Sequence, residues 1–284
     1  PIQVSEFEFA LPDLQLPATP VFSFDANLQN DAVNATVSIE DKDQKIFFDL
    51  SSENLYTFIF NPGEVMLKYT VNGSLKNIDL AYWLNDPELK YLINGELKAI
   101  GEGTDPATAK VNLSGDFRDL IVQERPVDKL VMDFNFDHGN LSGFARGNGD
   151  FGEFEVLPDI QQIQSNPTYK IDLTTRKLNI AAITGNDSLS SSINMKANIT
   201  GRGFDPKTIA LQANVMIKNS TLKQIKMDTL FADVQYGNEN IQVDSLLLLT
   251  QRVVLSARGN YSMKGSSAMD LKADFSGLEE FKAF

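Results

Sequence analysis

Few residues in the chain could do chemistry, and their spacing does not favour it. His138 is the single imidazole among 284 residues, and there is no cysteine. Thiolate nucleophiles, disulfides, thiolate zinc sites and iron–sulfur clusters are therefore excluded together. His138 stands in Asp137-His138-Gly139-Asn140, a polar turn without the nucleophile and orienting partner of a triad, and reads as an exposed turn residue. The acidic run Glu40-Asp41-Lys42-Asp43 lacks the glycine and terminal glutamate of a calcium loop and reads as a hairpin turn. Glu153 and Glu155 have the residue types of a glycosidase couple, but at i, i+2 they share the wet face of one strand. Gly101-Glu102-Gly103 and Gly147-Asn148-Gly149 are fragments of a phosphate-cradling pattern without the strand–helix context it needs. Asn-x-Ser/Thr triplets begin at Asn34, Asn72, Asn112, Asn140 and Asn198 and reflect a strand face rich in Asn, Ser and Thr. None of these groups implies a cofactor or a metal, and a role other than catalysis is expected.

Composition points the same way. With 25 Lys and Arg against 38 Asp and Glu, the net charge is -13, which repels phosphate backbones and makes nucleic acid a poor partner. No apolar run approaches the roughly 18 residues of a membrane-spanning helix. The chain starts at Pro1 without a basic or apolar leader, and Leu278 to Phe284 read like the start of another element. A segment of a longer protein is the expectation, with targeting and anchoring signals elsewhere.

The dominant signal is alternation, which marks strands with one buried face. Phe22, Phe24, Ala26 and Leu28 alternate with Ser23, Asp25, Asn27 and Gln29. Leu130, Met132, Phe134 and Phe136 alternate with Asp133, Asn135 and Asp137. Ile193, Met195, Ala197 and Ile199 interleave with Asn194, Lys196 and Asn198. Further rows of one face are Ile209, Leu211, Ala213, Val215 and Ile217, then Met269, Leu271, Ala273 and Phe275. Leu67, Val71, Ile93, Leu97, Leu230 and Val234 are assigned to the same face. Val71-Asn72-Gly73, Asp137 to Asn140 and Tyr236-Gly237-Asn238 are expected turns. Short helices are expected within Leu80–Leu92, capped by Asn85 or Asp86 with Pro87 in first position, and within Asp159–Gln164.

The chain also repeats itself. Gly101-Glu102-Gly103-Thr104-Asp105-Pro106-Ala107-Thr108 returns as Gly201-Arg202-Gly203-Phe204-Asp205-Pro206-Lys207-Thr208. The 100-residue shift holds without a gap from Tyr69/Tyr169 to Asn140/Asn240, and Ala81, Leu89, Ile93, Asn94, Asp128, Leu130 and Asp133 recur with it. In all, 14 of 72 positions are identical, where typical composition gives about four or five. The expected organisation is the end of one repeat (1–68), two repeats (69–168 and 169–268) and the start of another (269–284), forming one continuous elongated domain. About six or seven strands fall in each period, roughly 16 to 20 in total.

An antiparallel sheet with one apolar face must cover it. A two-sheet sandwich is the ordinary solution. A long sheet curled on itself accounts better for a 100-residue period and leaves an apolar trough, on the order of 80 Å long at 4.8 Å per strand. An open apolar area of that size marks a binding surface.

The segment Ile199 to Thr208 followed by an alternating strand resembles the repeat units of TamB and AsmA-type proteins. So do the strand pair Leu230–Tyr236 and Ile241–Leu247 and the return strand Leu255-Ser256-Ala257-Arg258-Gly259-Asn260-Tyr261. Ala145-Arg146-Gly147-Asn148-Gly149-Asp150-Phe151 is its counterpart in the earlier copy. The resemblance implies an all-β, elongated, curled antiparallel sheet, a β-taco or repeating β-groove. It implies a periplasmic segment of a protein anchored in the inner membrane, carrying phospholipid acyl chains toward the outer membrane beside a BamA/TamA-type barrel. Under that reading Phe22, Phe24, Leu28, Leu67, Val71, Ile93, Leu97, Leu130, Met132, Phe134, Phe136, Ile193, Met195, Ile199, Ile209, Leu211, Val215, Ile217, Leu230, Val234, Leu271 and Phe275 line the groove. Glycines such as Gly143, Gly147 and Gly149 would permit the bends. The alternative is a scaffold that assembles outer-membrane barrels and offers edges or groove to unfolded strands.

Overall fold

The structure is a computed structural model that describes residues 20–61, 63–205, 208–263 and 265–275. It is all-β, an antiparallel sheet of 16 strands that is not closed into a barrel, with strand order following the sequence. The strands are β1 Val21–Gln29, β2 Ala32–Asp41, β3 Gln44–Ser52, β4 Lys68–Asp79, β5 Tyr91–Glu102, β6 Lys110–Val122, β7 Arg125–Asp137 and β8 Asn140–Gly149. They continue with β9 Gly152–Gln161, β10 Thr168–Leu178, β11 Ser191–Arg202, β12 Ala210–Leu222, β13 Ile225–Gly237, β14 Asn240–Leu249, β15 Val253–Ser262 and β16 Ala268–Phe275. Three short helices interrupt them: α1 Leu55–Phe60, α2 Leu80–Trp83 and α3 Ile180–Thr184. The chain divides into two compact units, one ending at Gly139 and one starting at Asn140. The expected partial copy from Leu278 lies outside the described residues.

The 100-residue shift reappears in the backbone. Strands β4, β10 and β16 start at Lys68, Thr168 and Ala268, and α2 and α3 start at Leu80 and Ile180. Left-handed residues recur at the same interval: Asn77 (φ 52°) with Lys177 (51°), Asp119 (51°) with Asn219 (45°), and Gly103 (79°) with Gly203 (75°). In the Gly-Asp-Pro turn the Asp105 carbonyl accepts from the N–H groups of Thr108 and Ala109, and that of Asp205 from Thr208 and Ile209. Asp105 Oδ1 accepts from Ala107 N–H, so this turn is structural in both copies.

The strand interruptions at Asn77, Asp119, Lys177 and Asn219 are bulges, and one asparagine per copy holds them. Asn94 Oδ1 accepts the N–H of Asn77 at 2.6 Å, and Asn94 Nδ2 donates to the carbonyl of Asp119 at 3.2 Å. Asn194 does the same with Lys177 N–H at 3.0 Å and the Asn219 carbonyl at 2.9 Å. Each clasp ties three adjacent strands at the point where the pairing shifts register. A bulge bends its strand and raises the local twist.

Four expectations are corrected. Val71-Asn72-Gly73 lies inside β4 rather than in a turn. Asn72 faces the wet side, and the missing side chain of Gly73 leaves room for Phe48 and Leu97, which a Cβ would meet at 2.8 Å. The helix expected within Leu80–Leu92 is α2, which begins at Leu80 with Asp79 as its cap, whose carboxylate accepts from Ala81 and Tyr82 N–H; the Asn85, Asp86 and Pro87 signals follow it. Asp159–Gln161 extends β9 instead of starting a helix, and the second copy's helix is α3. The turns at Lys42–Asp43 and His138–Gly139 fall as expected, whereas the one expected at Tyr236-Gly237-Asn238 is shifted to Asn238–Glu239, with Tyr236 and Gly237 closing β13.

Candidate functional site

Register assigns every side chain to a face, because directly opposed residues of an antiparallel pair point the same way. In the first unit four apolar ladders cross β1 to β7. From the end of the strands that carries α2 (the helix end below; α1 lies at the opposite end) they read Phe22-Ile39-Ile46-Leu75-Gly95-Phe117-Leu130, Phe24-Val37-Phe48-Gly73-Leu97-Gly115-Met132, Ala26-Ala35-Leu50-Val71-Ala99-Leu113-Phe134 and Leu28-Val33-Ser52-Tyr69-Gly101-Val111-Phe136. No ionisable carboxylate, amine or guanidinium occurs in them.

The second unit repeats the pattern. Its ladders across β9 to β15 are Phe154-Thr175-Met195-Ile217-Leu230-Leu248-Leu255, Val156-Leu173-Ala197-Val215-Ala232-Leu246-Ala257, Pro158-Ile171-Ile199-Ala213-Val234-Val243-Gly259 and Ile160-Tyr169-Gly201-Leu211-Tyr236-Ile241-Tyr261. On β16, Ala273, Leu271 and Met269 extend the first three, and Phe275 pairs with Val253.

Glycines punctuate several of these rows, and large neighbours lie over them. A Cβ on Gly101 would meet the Tyr69 ring at 2.3 Å, and one on Gly201 the Tyr169 ring at 2.8 Å. On Gly95 it would meet Phe117 at 2.5 Å. Most ladder side chains are only partly covered, by such lateral neighbours and not by a second layer. Among the described residues no large side chain falls below 2% exposure, whereas two interdigitated sheets would seal a core of that kind.

The groove residues inferred from sequence largely share this face. Phe22, Phe24, Leu28, Val71, Leu97, Leu130, Met132, Phe134, Phe136, Met195, Ile199, Leu211, Val215, Ile217, Leu230, Val234 and Leu271 are ladder members, and Phe275 lies beside them. Four sit apart. Leu67 precedes β4, where its carbonyl accepts from Gly103 N–H, and Ile209 precedes β12. Ile93 lies beyond the first unit's bulge, opposite Ile78. Ile193 is only 6% exposed, near α3. The ladder tyrosines Tyr69, Tyr169, Tyr236 and Tyr261 went unassigned, although the Tyr69/Tyr169 identity was a signal for two of them.

Each unit's apolar face is closed at the helix end. In the first unit Ile78, Trp83, Leu120 and Val127 are buried there, and Trp83 Nε1 and Asp79 N–H both donate to Gln44 Oε1 at 2.8 Å. In the second, Ala181, Ile193, Ser220 and Met227 are buried at the corresponding end.

The opposite face is wet. Lys45 pairs with Glu40 at 2.6 Å, Lys129 with Asp116 at 3.7 Å and Arg258 with Asp270 at 3.3 Å, exposed contacts of little net stabilisation. Hydrogen bonding from Lys45 holds the Glu40 carboxyl below the ordinary range. Glu153 and Glu155 bind Arg176 and Arg146 separately, which leaves no acid–base couple. His138 Nδ1 contacts the Asp137 carboxylate at the exposed turn. In the first unit a hollow of about 470 Å³ lies at the ends of β3 to β7, bordered on the wet side by Lys68, Thr70, Glu102, Lys110, Asn112 and Asp137. Its charges come as neighbouring opposite pairs across strands, a solvated arrangement distinct from the apolar ladders. Among the described residues no cluster of three metal-ligating side chains occurs and no helix is long and apolar enough to cross a membrane.

Comparison of the chain with protein-family models, with curated proteins and with solved structures finds no match in any of the three.

Proposed function

We propose that the chain is a lipid-conduit segment of the TamB/AsmA-like type, working in the periplasm as part of a protein anchored in the inner membrane. Its apolar face shields phospholipid acyl chains on their way between membranes, with a BamA/TamA-type barrel as the partner at the outer membrane. The observation that carries this reading is the set of charge-free ladders on a single layer, most of whose large side chains remain partly exposed. Each CH₂ withdrawn from water onto them contributes about 0.8 kcal/mol. Successive strands offer similar Ile, Leu, Val, Phe and Met surfaces, so a tail passing from one to the next meets neither a deep well nor a charged barrier.

Lipid extraction and native mass spectrometry of the purified chain test the reading. Co-purified phospholipid and photocrosslinks from positions 134 and 211 to acyl chains are expected. An extract empty of lipid, with crosslinks to protein only, would turn the assignment to the barrel-assembly scaffold.

A further inference from the structure

We infer that bound phospholipid lies along the strands, with its acyl tails directed toward the end closed by α2 or α3 and its headgroup at the tyrosine end of each unit. This rests on the lipid-binding reading above and adds an orientation to it. Side-chain hydroxyls are distributed unevenly over the ladders. In the first unit the three rows nearest the helix end have none, and the fourth has Ser52 and Tyr69. In the second unit the fourth row has Tyr236 and Tyr261, together with Tyr169, which is buried and whose hydroxyl donates to the Gly203 carbonyl at 3.3 Å. The one other ladder hydroxyl there, Thr175 Oγ1, is taken up by the Ile193 carbonyl at 3.1 Å.

Ser52 Oγ is sealed without a hydrogen-bond partner, which leaves the Tyr69 hydroxyl as the group of the first unit's fourth row to meet a glycerol ester. Tyrosine places an apolar ring against hydrocarbon and a hydroxyl in the polar layer, which is why it gathers at headgroup depth in membranes.

The span is long enough for an acyl tail. First and fourth rows are six residues apart along a strand, about 20 Å, against roughly 15 Å for one leaflet of a 30 Å hydrocarbon core. A tail therefore fits between the tyrosine row and the buried residues at α2 or α3, which stop it at the far end.

Two synthetic diacyl phosphatidylethanolamine probes test the orientation on the intact chain, one with a diazirine at the acyl terminus and one with it on the headgroup. Peptide mapping should place headgroup labels around Tyr69 and Tyr236 and tail labels around Leu130 and Leu230. The reverse pattern, or equal labelling of both ends by both probes, overturns the orientation while leaving lipid binding in place. Absence of apolar-face labelling by either probe overturns lipid binding itself, and the orientation with it.

Discussion

Asn94 receives the N–H of Asn77 at one end of its amide and gives the other end to the Asp119 carbonyl; Asn194 repeats this between Lys177 and Asn219. The bulged residues have left-handed backbones, so their peptide groups have left the strand ladder and need other partners. Asn94→Ala or Asn194→Ala should each cost roughly 1–3 kcal/mol, two part-exposed hydrogen bonds at about 0.5–1.5 kcal/mol apiece. The checks are the urea midpoint and faster amide exchange at Asn77 or Lys177. Asn94→Asp should have an intermediate effect, since a carboxylate still accepts from Asn77 but cannot donate to Asp119. The identity of Asn94 and Asn194 was visible in the repeat. Their task was not, because neither hydrophobic alternation nor turn chemistry marks a left-handed Asn, Asp or Lys inside a strand.

Among the elements, α2 and α3 close one end of the apolar face, and Trp83 is the largest side chain engaged in that closure. Trp83→Ala should destabilise the first unit by about 3–5 kcal/mol, as large-to-small changes of buried aromatics do, read as a lower denaturation midpoint by circular dichroism. Helix α1 is held differently. The Thr57 hydroxyl and N–H both donate to Asp31, at 2.5 and 2.7 Å, and keep its carboxyl below the ordinary range. A depressed folded value gives stabilisation that is present above the unfolded carboxylate range and disappears as the pH falls through the folded value. Exchange protection of the Thr57 amide should therefore persist at neutral pH and fall only in strong acid. Asp31→Ala should remove the protection at both. Strand positions were legible because polar and apolar residues alternate almost without error, as in Ile193 to Thr200. Helix boundaries were not: Asn85-Asp86-Pro87 is a stronger local start signal than Asp79, and strand β4 delivers the chain to Asp79 first.

At the scale of the whole molecule, alternation announced an apolar face, and register places the inferred rows on it. What alternation could not say is which rows stay partly open, since Ile193 and Met195 look alike in sequence yet only Ile193 is buried beside a helix. Leu211→Arg and Phe134→Asp put a charge on partly exposed ladder positions. Both should abolish lipid co-purification while far-UV circular dichroism stays that of a β-sheet. Collapse of the β signal in both would identify these positions as a sealed interior.

Each described strand lies beside the strands that precede and follow it in sequence, and that has a kinetic and thermodynamic consequence. Pairing is local in sequence, so this β protein has the low contact order associated with fast folders, and hairpins can nucleate at many points. Stability then resembles a sum of strand terms and nearest-neighbour couplings, as in repeat arrays, instead of the all-or-none melting of a compact core. Urea should produce a broad transition whose midpoint differs between probes, with native-state exchange fastest in β1 and β16 and slowest in strands flanked on both sides. Damage to a single inner strand would sever cooperativity at that point and leave the stretches on either side to melt independently.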